Sequence, residues 1–127
     1  MRTSLVTPYV FAAMIVIVLA NGGLTQQLGA HPFWSVTVAW VGVPIGLALT
    51  FLAKRTRLSW IARSLIFLTC LAAAFAAASL GKQRFAASFA EDALAGQIWY
   101  FGWIAVATFT TASIAALLSP TKDQSAG

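Results

Sequence analysis

The chain has 127 residues, 60% of them hydrophobic and only 9% charged, against roughly 25% charged in an ordinary soluble domain. That balance argues against a soluble fold, because a domain this short would leave uncharged runs such as residues 64–81 facing water. The net charge of +5 sits in the turns between apolar runs and does not line one face, which points away from nucleic acid and towards topology signals, with anionic lipid headgroups as a secondary partner of the basic residues.

The first apolar run covers residues 5–24, and at about 1.5 Å per residue it spans a hydrocarbon core of about 30 Å. Pro8 falls in its first turn, where a missing N–H costs little. Arg2, the apolar core and Val18-Leu19-Ala20 before Asn21 also fit a cleavable signal peptide. Asn21-Gly22-Gly23 ends the run, and a short connection free of acids leads to Pro32. A second span over residues 33–53 opens on Phe33 and Trp34, the aromatic pattern of the headgroup layer. Inside it, Gly42 and Gly46 have small-xxx-small spacing, with Pro44 between them. These three residues are read as a packing face or a hinge, because glycine admits a neighbouring backbone and proline removes a helix bond.

Lys54, Arg55 and Arg57 put three cations within four residues. Each would cost about 2.5–3.5 kcal/mol at a bilayer centre, so this turn must be wet. A third span follows over residues 58–80, small on nearly every face between Thr69 and Ser79, with Arg63 expected to snorkel from it to the phosphates. In residues 82–96, Phe85, Phe89, Ala93 and Leu94 recur at helical spacing among Lys82, Ser88, Glu91 and Asp92. That pattern predicts a short amphipathic helix lying on the membrane surface. Trp99, Tyr100 and Trp103 then mark a boundary, a fourth span runs over residues 98–118 with a small-residue seam at Thr108, Ala112 and Ala116, and residues 119–127 form a polar tail.

The expected fold is therefore all-α and single-domain: four transmembrane helices in two hairpins, plus one interfacial helix. Arg2, Lys54, Arg55, Arg57, Arg63 and Lys122 share one side, while Lys82 and Arg84 on the other are offset by Glu91 and Asp92. The positive-inside bias places both termini in the cytoplasm, with the inner membrane as the location.

The spans hold no Asp, Glu, Lys or His, so the mid-membrane carboxylate of a proton-coupled transporter is missing. His31 lacks the company a metal site needs and is read as an interfacial anchor; Cys70 is read as inert filler in an Ala-rich run. Trp34, Trp60, Trp99 and Trp103 are read as belt anchors. No catalytic set, cofactor or metal is expected. Arg55, Arg57 and Arg63 are the candidate contacts to an anionic headgroup.

In hydropathy, and from Leu28-Gly29-Ala30-His31-Pro32 through Arg57, the layout resembles small four-helix proteins such as the GtrA-like group. That group is implicated in moving polyprenyl-linked sugars and has a basic cluster just after its second span. The group's basic-aromatic ending is absent after Leu118, and no functional residue follows from the resemblance. Two functions fit the residues. One is an accessory or structural subunit of a larger membrane assembly, with packing faces and no chemistry of its own. The other is a small homo-oligomeric transporter or flippase for a lipid-linked or anionic substrate, working through the 42–46 bend and the arginine cluster.

Overall fold

The computed structural model describes residues 3–120, with side chains from Val6 onward. Arg2 and the polar tail from residue 121 lie outside the described residues. Every element among them is helical: α1 (Thr3–Asn21), α2 (Leu24–Leu28), α3 (Thr37–Lys54), α4 (Trp60–Ala87) and α5 (Ala93–Leu117). Long apolar runs without water to bond their backbone have little alternative to the helix. Three of these helices are long and apolar enough to cross a membrane, and a shorter apolar helix over Val6–Asn21 accompanies them. The chain thus forms an all-helical bundle of the kind that multi-pass membrane proteins adopt.

The breaks have local causes. Gly23 and Gly29, at φ 96° and 131°, bracket α2 in conformations that a side chain disfavours. The helix begun at Thr37 starts four residues later than Phe33, because residues 32–36 turn first, and Phe33 is left 88% exposed. Lys54 occupies the last turn of α3, where a cation meets the negative end of the helix dipole. Ser59 caps α4 by accepting the Ala62 N–H at 3.0 Å.

The separate surface helix expected over residues 82–96 does not form. Residues 82–87 continue α4 for nearly two further turns, and residues 93–96 already belong to α5. Between them is a tight reversal in which Phe89 and Ala90 take φ 57° and 67°. The Ala90 N–H donates to Phe85 O at 2.9 Å, Asp92 N–H to Ser88 Oγ at 2.9 Å, and Ala95 N–H to Asp92 Oδ1 at 3.0 Å. The apolar spacing that suggests a surface helix instead supplies the facing sides of a hairpin, with Phe85 against Gly96 and Trp99.

α5 is the central helix and packs on α1, α3 and α4. Its approach to the others is set by missing side chains. A Cβ on Gly81 would lie 2.7 Å from Trp99 N, and one on Gly102 would lie 2.9 Å from the Ala78 Cα. On the α3 side, a Cβ on Gly42 would stand 2.6 Å from the Ala107 Cβ, and one on Gly46 would overlap the Thr108 carbonyl oxygen. Such contacts between backbones are the main source of attraction between helices in lipid, where apolar burial gives none. Pro44 lies between the two glycines on the exposed side of an unbroken α3.

Candidate functional site

At the end of the bundle that carries residues 54–63, the cations do not converge. Arg55 and Arg57 are exposed, and the Arg55 guanidinium rests over the Phe51 ring at 5.6 Å. Arg63 points inward and is 1% exposed. It sits in the first turns of α4, where side chains lean back towards the helix start. From there Nη1 donates to Leu58 O at 2.9 Å and Nη2 to Ser119 O at 3.3 Å. Snorkelling to the phosphates, expected from the sequence, is replaced by a contact inside the protein.

The physical reason is that α5 ends beside α4's beginning. The last carbonyls of a helix carry partial negative charge and lack intrahelical partners. The guanidinium itself bonds to carbonyls just outside the two helices, Leu58 before α4 and Ser119 after α5, and so receives compensation without a carboxylate. Trp60 reinforces the junction by donating its indole N–H to Ala116 O at 2.8 Å. The side-chain polar atoms buried without a partner among the described residues gather at the same end: Arg63 Nε, Ser64 Oγ, Ser113 Oγ and Ser119 Oγ.

At the opposite end the aromatic residues form one cluster. Trp34 lies 5.2 Å from Trp99 and 5.1 Å from Tyr100, and His31 lies 5.9 Å from Trp34 and 5.5 Å from Trp99, ring centre to ring centre. His31 Nδ1 accepts the Phe33 N–H at 3.0 Å, which fixes the ring over the turn into α3. The Trp99 indole donates to Gly29 O at 2.9 Å. Trp99 and Trp103 are 9% and 2% exposed, so they are core residues and not the lipid-facing belt that boundary positions suggest. Their rings fill the space beside small residues of α4, including Ala74 and Ala78. Trp99→Phe is expected to cost about 1 kcal/mol through the lost hydrogen bond. Hydrogen exchange would check it, with protection falling over residues 24–31 and holding in α3.

No group of three His, Cys, Asp or Glu side chains among the described residues stands close enough to hold a metal ion. Cys70 is half-buried and free. Thr50 and Thr111 turn their hydroxyls onto Gly46 O and Ala107 O at 2.9 and 2.8 Å, so these two buried hydroxyls serve the packing. Comparison with known proteins returns no matching family model, no matching curated protein and no matching solved structure. The likeness to the GtrA-like group therefore contributes no residue to the site.

Proposed function

We propose that this chain is an inner-membrane accessory or structural subunit of a larger membrane assembly, without catalytic chemistry of its own, and with both termini in the cytoplasm. The observation that carries the reading is the outward face of α4. Ile61, Leu65, Leu68, Ala72 and Phe75 follow one another at spacings of four and three along it, the interval of a seam that takes a partner helix. Ile61 and Leu65 are 63% and 58% exposed. Only 22% of the apolar window of α4 is buried within the bundle, against 50% for α5.

The buried donors support the same reading. Arg63 spends its bonds on Leu58 and Ser119 carbonyls, and Gly42 and Gly46 are pressed on α5. Of the parts a flippase would use, the Arg63 Nη groups and the two glycines are thereby engaged in the fold, while Arg55 and Arg57 are exposed. The orientation draws support from the arrangement of ends, since the cations at 54, 55, 57 and 63 share the end where α5 finishes.

Purification in mild detergent is expected to recover a larger membrane protein in fixed stoichiometry, and Leu65→Arg should release it. A purified chain that alone moves a lipid-linked or anionic substrate across liposomes would overturn the proposal in favour of the small oligomeric transporter.

A further inference from the structure

We infer that the groove between α4 and α5 beside their connecting turn holds one phospholipid with an ethanolamine headgroup. The groove encloses about 270 Å³. Ala77, Gly81 and Arg84 line it from α4, and Asp92, Ala95 and Ile98 line it from the turn and α5. From residue 77 to residue 84 it follows α4 for roughly 10 Å. Its body is apolar, and both of its charges lie at the mouth.

The floor is closed because Gly81 brings the two backbones together. A Cβ there would lie 2.8 Å from Ala95 O and 3.1 Å from Ile98 Cγ2. The walls stand up on either side, with Leu80 54%, Leu94 66% and Ile98 41% exposed. A channel of this shape fits the upper part of an acyl chain. Lys82 turns to the other side of α4, where it lines a separate groove with Leu28, Gly29 and Trp103. The mouth therefore presents one guanidinium and one carboxylate.

Arg84 and Asp92 form no ion pair with each other, although they share the rim. Asp92 uses Oδ1 to cap α5, which leaves Oδ2 for a ligand. A cation and an anion that line one end of an apolar channel without pairing match a headgroup that carries both signs. Guanidinium binds phosphate with several parallel donors. The carboxylate then selects among headgroups: an ethanolamine ammonium donates hydrogen bonds to it, a choline has no N–H to give, and a glycerol headgroup brings no positive charge.

The inference rests on the helices crossing a bilayer, and the test separates the two. The full chain is reconstituted in vesicles and then extracted with phosphatidylethanolamine, phosphatidylcholine and phosphatidylglycerol of identical chains at equal amounts. Bound lipid is read by native mass spectrometry. One lipid is expected per chain, with ethanolamine favoured over each of the others by about two- to fivefold, the range of a solvent-exposed ion pair. Arg84→Gln should lower all three.

Asp92→Asn should bring ethanolamine down to the level of choline while leaving α5 intact, because asparagine caps helices as well as aspartate does. Ala77→Trp should empty the groove with the rim unchanged. Phosphatidylglycerol bound as well as phosphatidylethanolamine, or lipid retained by the Ala77→Trp chain, would overturn the inference. A chain that fails to enter vesicles would overturn the membrane reading as well.

Discussion

Gly46→Leu is expected to unfold the bundle at temperatures where the wild-type chain is stable. The first added atom, the Cβ, already overlaps the Thr108 carbonyl oxygen and lies 2.9 Å from the Thr111 Cβ. A backbone cannot rotate out of the way as a side chain can. Overpacking a dense core costs about 1–3 kcal/mol when side chains yield, and a loss at or above the top of that range is expected here. Because the clash begins at Cβ, Gly46→Ala should show most of the loss. Ala48→Leu, on the exposed side of the same helix, should melt with the wild type. Tryptophan fluorescence during thermal unfolding in detergent measures all three, and a Gly46→Leu chain melting with the wild type would refute the packing account.

Arg63→Leu is expected to be nearly as damaging, for an electrostatic reason. The guanidinium stays charged in any protein environment. Its hydrogen bonds to Leu58 O and Ser119 O join the start of α4 to the end of α5. Bonds to a charged group are each worth about 1.5–3 kcal/mol, and a loss of about 2–4 kcal/mol is expected after relaxation. A single lysine ammonium has no fork with which to bridge two carbonyls, so Arg63→Lys should recover little of it. The contact is buried, so added salt should leave the difference between the chains unchanged. Replacing anionic lipid with zwitterionic lipid should also leave it unchanged. A chain whose stability falls only in anionic lipid would restore the headgroup-contact role that the sequence suggests.

These two residues also show what the sequence made legible. Gly42 and Gly46 offer a packing face or a hinge through spacing alone, and the seam at Thr108 and Ala112 offers a small-residue counterpart. In the fold Gly42 and Gly46 meet α5 at residues 104–111, and the Thr50 hydroxyl reaches Ala112 O at 3.5 Å. Both signals are local patterns of small residues. Arg63 is different. Its role depends on α5 ending beside it, which is a tertiary fact, and hydropathy alone sees only a cation near a boundary. Trp99 and Trp103 mislead in the same way, because their position along the chain marks a helix end while their surroundings are interior.

The hairpin at residues 88–92 was hidden for another reason. Left-handed backbone is expected at glycine or asparagine, and here it falls on Phe89 and Ala90. Nothing in their side chains announces the reversal. The flanking pattern of Phe85, Phe89 and Ala93 imitates a helix lying flat on a surface. The hydrogen bonds gathered on Ser88 and Asp92 hold the turn, and the donor and acceptor types that make them are common in any polar connection.

The unequal lengths of the helices bear on the bilayer itself. At about 1.5 Å per residue, the 28 residues of α4 reach about 42 Å, while the 18 residues of α3 reach about 27 Å. Only residues 60–81 of α4 are apolar, about 33 Å, because Lys82, Gln83 and Arg84 occupy its end, so α3 and the apolar part of α4 both fit one hydrocarbon core of about 30 Å. Each ångström of mismatch costs a fraction of a kcal/mol. Spans of similar apolar length keep that cost small, and the polar last turns of α4 carry the reversal at residues 88–92 beyond the hydrocarbon.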